Sequence, residues 1–257
     1  MRRLFLLLTL FAGLFGLAAC EGELANLLPT NQDDPQARMM ESRSKLREAN
    51  VAVQAEFSST TILPTPSFET QGSGVIFARD GDTYYVLTNQ HVVDPGDRPY
   101  AEYAVRPSAA HETMEAELVD MDESRDLALM RFTDSSREYE PLDLFARIDE
   151  PLERGEFVLA VGSPSEVDSI VTFGEYLRMS EIGDVDFEVI AHSALIYPGS
   201  SGGALADLDG NLIGINTWSA SEDAETNLSV PLSEVHDYLE ELEVIQIVEA
   251  DENAGDD

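Results

Sequence analysis

Tyr197-Pro198-Gly199-Ser200-Ser201-Gly202-Gly203 is the most informative stretch of this chain of 257 residues. A Gly-x-Ser-Gly-Gly run suits a nucleophilic serine, because glycines let the backbone turn tightly and bring N–H groups beside the hydroxyl. The register of the run assigns the nucleophile to Ser201, and Ser200 remains an alternative on paper. Because Gly/Ser-rich turns are common, the assignment depends on partner residues elsewhere in the chain.

Two further motifs supply a histidine and an aspartate. His91 stands in Thr88-Asn89-Gln90-His91-Val92-Val93, at the end of an apolar, strand-like stretch. Asp126 precedes a second such stretch, in Arg125-Asp126-Leu127-Ala128-Leu129. The order His, Asp, Ser along the chain is that of the two-barrel serine proteases, whereas α/β-hydrolases and subtilisins use other orders.

These three residues predict acyl-transfer chemistry. Ser201 Oγ would attack a carbonyl carbon, and His91 would take the serine proton and later hand it to the leaving amine. Asp126 would hold the imidazole in the required tautomer and stabilise its charged form. The backbone N–H groups of Gly199 and Ser201 would form the oxyanion hole, a contribution of ~3 kcal/mol per donor.

The composition narrows the choice of partners and cofactors. Fifty acidic residues face 15 basic ones, a formal net charge of −35, which argues against nucleic acid as a partner. The acidic surface suits a saline environment, or it attracts basic substrates. The chain contains one cysteine and four histidines without metal-ligand spacing, so neither an internal disulfide nor a metal or other cofactor is expected.

The N-terminus predicts export. Met1-Arg2-Arg3 is a short basic region, residues 4–17 are apolar, and Leu17-Ala18-Ala19-Cys20 resembles a bacterial lipobox. The apolar stretch is too short for a spanning helix, which needs about 20 apolar residues. We therefore expect residues 1–19 to be a lipoprotein signal peptide and Cys20 to be acylated. This anchors the chain to the inner or the outer membrane, facing the periplasm. An ordinary secretory signal with an unmodified Cys20 is the alternative.

Between the flanks the sequence is dominated by short β-strand patterns. Several segments alternate polar and apolar residues, as in Glu115-Ala116-Glu117-Leu118-Val119, and Asp80-Gly81 and Asp209-Gly210 are hairpin signals. The predicted strands cover 51–57, 74–78, 83–88, 101–106, 115–121 and 127–132 in a first group, and 157–162, 169–178, 187–192, 203–207, 211–217 and 228–230 in a second. Two groups of about six strands predict an all-β fold of two six-stranded antiparallel barrels.

The predicted domains follow from this grouping. The first barrel is expected at residues 51–145, and the second at residues 146–245 with a short closing helix after Pro231. Residues 20–50 are expected to form the lipid anchor and a partly helical tether, and residues 246–257 an acidic disordered tail. A cleft between the barrels would bring the histidine, the aspartate and the serine together.

The ordered motifs resemble the landmark motifs of HtrA/Deg-type bacterial serine proteases, from about residue 72 to residue 242. They are Gly72-Ser73-Gly74-Val75-Ile76, Thr88-Asn89-Gln90-His91-Val92-Val93, Asp126-Leu127-Ala128-Leu129, Pro198-Gly199-Ser200-Ser201-Gly202-Gly203, Leu208-Asp209-Gly210-Asn211-Leu212-Ile213-Gly214-Ile215-Asn216-Thr217 and Val230-Pro231-Leu232-Ser233. The resemblance implies an ATP-independent, metal-free endopeptidase with the chymotrypsin-like fold. Many members of this family act on misfolded envelope proteins.

The chain also departs from the family pattern. Family members commonly carry PDZ domains after the protease, whereas none is expected after the closing helix here, and Ser200 stands where asparagine is usual. Trimers are common in the family, so a homo-oligomer is considered as well.

The expected function is a serine endopeptidase of the cell envelope that cleaves unfolded or specific proteins and peptides. The alternative is a catalytically silent binding or scaffold lipoprotein with a protease fold.

The predicted substrate pocket is apolar. The stretch before the nucleophile has no carboxylate that could bind a Lys or Arg side chain, so cleavage after small or medium aliphatic residues is expected. His192, nine residues before the nucleophile, either touches this pocket or is hydrogen-bonded at a strand end. The residues expected to line the pocket are Leu195, Ile196, Tyr197, Asn216, Thr217 and Trp218.

Overall fold

A computed structural model describes residues 35–59, 67–108, 112–148, 150–164, 169–183, 185–219 and 226–244. Cys20, the predicted signal peptide and the acidic C-terminal tail lie outside these residues. Within the described ranges, no helix is long and apolar enough to cross a bilayer.

The first barrel holds six antiparallel strands. They are β1 (Asn50–Ser58), β2 (Phe68–Asp80), β3 (Thr83–Thr88), β4 (Tyr100–Pro107), β5 (Met114–Asp122) and β6 (Leu127–Thr133). They close in the order β1-β2-β3-β6-β5-β4, since β4 returns to pair with β1. Successive side chains of a strand point to opposite faces, and the inward set, including Val51, Ile76, Val86 and Met130, fills the barrel.

The second barrel repeats this architecture. Its strands are β7 (Phe157–Gly162), β8 (Ile170–Glu181), β9 (Glu188–His192), β10 (Ala204–Ala206), β11 (Leu212–Ser219) and β12 (Asn227–Pro231). They close in the order β10-β11-β12-β9-β8-β7. Val158, Tyr176, Ile190 and Leu205 pack inside it.

In the described ranges three helices accompany the barrels: α1 (Pro35–Ala49), α2 (Gln90–Val93) and α3 (Leu232–Glu241). The prediction of two six-stranded antiparallel barrels with a short C-terminal helix is therefore confirmed. Helix α1 lies within the segment that the sequence assigns to the tether, and it packs against the barrels. Leu46 is fully buried, in a cluster with Leu129 of the first barrel, Leu159 of the second and Tyr238 of α3. This cluster lies between the barrels and joins all four parts.

The position of Leu46 predicts that α1 contributes to the stability of the whole domain. Leu46→Ala removes a fully buried side chain and should lower the free energy of unfolding by about 2–4 kcal/mol. Met40 lies on the same helix but is 62% exposed, so Met40→Ala should change the free energy of unfolding by less than about 0.5 kcal/mol. Urea denaturation measures both. Equal stability of the two variants would mean that α1 is dispensable for folding.

Candidate active site

His91 is positioned by the turn that leaves strand β3. It is the second residue of the short helix α2, whose Val92 and Val93 are buried in the first barrel and anchor the helix. The imidazole itself is 42% exposed. The side-chain amide of Asn89 donates to the Asp126 carbonyl at 2.8 Å and so ties this turn to the start of β6.

Asp126 precedes strand β6 in a left-handed backbone conformation, with φ of 53°. Aspartate tolerates this region better than most residues. The turn before it is closed by Asp122, whose Oδ1 accepts the N–H groups of Ser124 at 2.8 Å and Arg125 at 3.2 Å. The Asp126 side chain is buried as a result, while its partner His91 remains accessible.

Three donors meet the Asp126 carboxylate. His91 Nδ1 lies 2.9 Å from each oxygen, the His91 backbone N–H donates at 3.0 Å, and Thr217 Oγ1 donates at 2.5 Å. A buried carboxylate requires such donors, because burial without them is costly. Since Nδ1 faces an acceptor, it carries the proton of the neutral ring, and Nε2 is left as an acceptor.

Ser201 lies on a turn whose shape depends on glycine. Gly199 and Gly202 have φ of 94° and 88°, a region that side chains rarely adopt. A Cβ on Gly202 would also lie 2.1 Å from the Ser73 carbonyl oxygen. Ser201 Oγ donates to the carbonyl of Thr217 at 3.1 Å. Among the described residues, no hydrogen bond joins Ser201 Oγ to the His91 ring.

Thr217 connects the aspartate to the serine. Its hydroxyl binds the Asp126 carboxylate and its carbonyl accepts the Ser201 hydroxyl. Thr217 belongs to the second barrel, so that barrel helps to hold a carboxylate that the first barrel carries. The three residues predicted from the sequence are thus brought to one place, at the junction of the barrels.

The N–H groups of the Ser201 turn fall into two sets. Those of Ser200, Gly202 and Gly203 are bound by carbonyl oxygens at 2.7, 2.8 and 3.1 Å. Those of Gly199 and Ser201 have no acceptor within the part of the chain that the structure describes. Two unpaired donors, one on Ser201 itself and one two residues before it, are what an oxyanion hole requires.

Ser73 of strand β2 ties this turn to the first barrel. Its N–H donates to the Ser201 carbonyl at 2.7 Å. Its hydroxyl donates to the Gly199 carbonyl at 2.7 Å and accepts the N–H of Ser163 at 2.7 Å. Ser73 is fully buried. A serine between two glycines carries no local signal of such contacts, so the sequence predicts no role for Ser73.

Ser200, the alternative nucleophile, is 4% exposed. Its hydroxyl accepts the N–H of Tyr197 at 3.2 Å, and the Ser200 Cβ and Oγ pack against Gly162. The arrangement gives Ser200 a role in holding the turn, with no histidine among its hydrogen-bond partners in the described ranges.

The residues predicted to line a substrate pocket separate into two groups. Leu195 and Tyr197 are 48% and 45% exposed, Ile196 is half-buried beside the second barrel's core, and Trp218 is half-buried against another small apolar cluster. Asn216 and Thr217 do not present their side chains to an open pocket. Asn216 is fully buried and donates to the carbonyls of Val161 and Ala204, and Thr217 binds Asp126.

His192 is fully buried on strand β9. Its Nε2 lies 3.0 Å from Ser229 Oγ, which donates to Asn216 Oδ1 at 3.2 Å. Burial lowers the pKa of His192 to about 4, against a smaller opposite effect of the Ala194 backbone. Of the two sequence-based interpretations, the buried, hydrogen-bonded histidine agrees with this position.

One group of side chains in the described part of the chain brings three ligand atoms within 4.8 Å of one another: His236, Asp237 and Glu240 on helix α3. Both carboxylate side chains are exposed. Such surface groups are common without a metal, and this one lies apart from the hydrogen bonds that join His91, Asp126 and Ser201.

A histidine–aspartate pair on one barrel and a glycine-flanked serine on the next define the fold class of the two-barrel serine proteases. Residues 72–215 match the family model described as a trypsin-like peptidase domain. The chain belongs to this family.

Curated relatives agree with the family match. Serine protease HTRA1 of Xenopus tropicalis is 35% identical over 176 residues, which cover 66% of this chain and 35% of that protein. Serine protease Do-like HtrA of Bacillus subtilis (strain 168) is 32% identical over 185 residues, 66% of this chain and 39% of that protein. Serine protease HtrA-like of Staphylococcus aureus (strain MRSA252) is 29% identical over 220 residues, which cover 79% of this chain and 28% of that protein. The chain thus spans about a third of the length of these relatives.

The buried His192 predicts a specific loss of stability in acid. In the unfolded chain a histidine takes up a proton near pH 6.5, whereas the pKa of the buried ring is about 4. The neutral, buried His192 therefore contributes fully to the free energy of unfolding above pH 6.5, and this contribution is lost as the pH falls towards 4. Between pH 7 and pH 4.5 it should decrease by roughly 2.5 kcal/mol.

Urea denaturation at pH 7 and pH 4.5 tests this predicted loss of stability in the variant His192→Gln. The control is His236→Gln, which replaces a half-buried histidine of helix α3. The unfolding free energy of His192→Gln should fall less with acid than that of the wild type, and that of His236→Gln should follow the wild type. Equal acid sensitivity of wild type and His192→Gln would contradict the assignment.

Proposed function

We propose that this protein is a serine endopeptidase that uses His91, Asp126 and Ser201 as a catalytic triad. The observation that carries the proposal is the chain of contacts from the His91 ring to the buried Asp126 carboxylate, to Thr217, and to the Ser201 hydroxyl. A histidine fixed by a buried carboxylate, with its second nitrogen free to accept, is the base that a serine nucleophile requires.

The chemistry follows from this arrangement. Ser201 Oγ turns from the Thr217 carbonyl towards His91 Nε2, which takes its proton as Oγ bonds to the substrate carbonyl carbon. The resulting imidazolium is stabilised by Asp126. His91 then protonates the leaving amine, the peptide C–N bond breaks, and an acyl ester remains on Ser201. A water molecule gives a proton to His91 as its oxygen bonds to the ester carbon. His91 returns this proton to Ser201 Oγ as the ester C–O bond breaks, which releases the acid and regenerates the serine.

The free N–H groups of Gly199 and Ser201 support this mechanism. They would donate to the oxygen that becomes negative when the carbonyl carbon turns tetrahedral. Removal of one such donor typically slows catalysis by about 10²–10³-fold. Ser73 binds the carbonyls of the same two residues, Gly199 and Ser201, and so fixes the chain directly after each donor.

The proposed setting is the bacterial cell envelope, with the domain tethered through an acylated Cys20. The lipobox-like sequence at the N-terminus supports this assignment. The substrates would be unfolded or specific envelope proteins, cleaved after apolar residues that contact Leu195, Ile196, Tyr197 and Trp218. Homo-oligomers, which are common among the resembled proteases, belong to the same proposal.

A second candidate is a silent binding or scaffold protein with a protease fold. The bond from Ser201 Oγ to the Thr217 carbonyl favours it, because the hydroxyl proton is directed away from His91. Catalytic hydrogen bonds are often long or misaligned without substrate and tighten in the complex. The same bond is therefore compatible with an enzyme that awaits its substrate.

A fluorophosphonate probe, which reacts with an activated serine, tests the proposal together with digestion of an unfolded model protein. The wild type should be labelled and should digest the substrate. Ser201→Ala should lose both activities, since removal of a triad nucleophile costs roughly 10⁶-fold in turnover.

Ser200→Ala is the matched control, because it removes the neighbouring hydroxyl of the same turn. It should keep the label at Ser201. Equal labelling of wild type and Ser201→Ala would contradict the assignment of the nucleophile, and an unlabelled, well-folded wild type would favour the binding protein.

A further inference from the structure

A small pocket opens beside the nucleophile turn, on the side of the first barrel. Its volume is about 210 Å³. Ala52, Val53, Gln54, Gln71, Gly72, Arg106 and Ser163 line it. We call it the Arg106 pocket. It is separate from the predicted substrate pocket, with which it shares no residue.

Strand register places this pocket next to the serine turn. Ser73, Ala52 and Arg106 are direct partners on the neighbouring strands β2, β1 and β4 and face outward together. Two strand spacings separate Ser73 from Arg106, a distance of about 10 Å. Ser73 donates to the Ser201 carbonyl and its hydroxyl meets Ser163 of the pocket wall. The small side chain of Ala52 leaves space between them.

With the proposed triad, the pocket would lie on the leaving-group side of the scissile bond. In the proposed mechanism the acyl part of the substrate contacts the second barrel, around Leu195 to Tyr197. The leaving amine receives its proton from His91, on the first barrel. Gly72 lies beside the residue after His91, since a Cβ on Gly72 would meet both methyl groups of Val92 at 2.7 Å. The segment after the scissile bond would therefore pass over Gly72 and Gln71.

Arg106 differs from the best-paired arginines of this acidic chain. Arg125, Arg131 and Arg147 each form an ion pair with one or more carboxylates. The side chain of Arg106 forms no ion pair or hydrogen bond with any described residue, although the residue is half-buried in the wall of the pocket. A guanidinium presents a planar set of donors that binds a carboxylate with two parallel hydrogen bonds.

The described acidic residues on the same face form no ion pair with Arg106. The nearest of them is Glu115 of β5, the partner of Ala104, which lies two residues before Arg106 on its strand. Glu115 is therefore about 8 Å from Arg106, close to the Debye length at physiological ionic strength. Glu102 lies four residues before Arg106, about 13 Å away. The guanidinium donors of Arg106 remain open to a ligand, and Glu115 reduces their net attraction for an anion.

Resting on the proposed function, we propose that Arg106 forms a subsite for an acidic side chain of the substrate, at the second or third residue after the scissile bond. The ligand is the carboxylate of a Glu or Asp in an extended peptide. Arg106 thus determines specificity on the leaving-group side, while the acyl side is selected by apolar contacts. The rest of a favoured substrate is neutral or basic, because the remainder of this surface repels acidic chains.

Pairs of peptides with the same scissile bond test the subsite. The two peptides of a pair differ only in having Glu or Gln at one of the four positions after that bond. With the wild type, Glu at the second or third position should raise kcat/KM by about 10-fold over Gln, the scale of one charge-assisted pair. Added salt should weaken the preference. Arg106→Gln should abolish it, so that the Glu and Gln peptides have kcat/KM values within about two-fold of each other. Arg154→Gln removes an exposed arginine that is outside the pocket and should retain the preference.

Different results would overturn the proposed endopeptidase function and the proposed Arg106 subsite. A wild type that accepts the fluorophosphonate label and cleaves the Glu and Gln peptides equally would overturn the subsite alone. A preference that persists in Arg106→Gln would do the same, because another cation would then be responsible. A wild type that neither accepts the label nor cleaves any peptide would overturn the endopeptidase and the subsite with it.

Discussion

Hydrogen bonds that cross from one barrel to the other hold the candidate site together. Ser73 of the first barrel binds the carbonyls of Ser201 and Gly199, and Thr217 of the second barrel binds the carboxylate of Asp126. Each bond is largely buried, where an unpaired polar partner would cost about 1–3 kcal/mol. Neither barrel contains a complete site, so the docking of the barrels is also the step that assembles the candidate catalytic groups.

Packing around these bonds leaves little freedom for the site to relax. Glycines at the contact bring backbones closer than side chains allow, as at Gly202 against Ser73. The turn that carries Asp126 is held from outside by Arg125, which pairs with Asp122 and with Glu234 and Glu241 of helix α3. The C-terminal helix therefore helps to hold the aspartate, besides burying its apolar face between the barrels.

The sequence predicted those features that leave a local signal. Strand alternation and hairpin turns predicted the barrels, and the glycine-flanked run assigned Ser201 to its turn. Contacts between distant residues left no such signal. Thr217 was expected to line a pocket, yet its hydroxyl binds a carboxylate 91 residues away. Asn216 was also expected to line the pocket, yet its amide is buried. The strand has an irregular register between Asn216 and Trp218. Arg106 left no signal either, because the lack of a side-chain partner among the described residues is a property of the folded chain.

The rate of fluorophosphonate labelling in Ser73→Ala tests most directly whether the bonds between the barrels assemble the site. The variant loses the hydroxyl that binds Gly199 and Ser163, so labelling should slow by at least about 10-fold while the domain remains folded. Ser42→Ala is the matched control, because it removes another buried serine, on α1, that donates to Leu208 of the second barrel. It should label at the wild-type rate. A wild-type rate in Ser73→Ala, or equal slowing in both variants, would contradict the account.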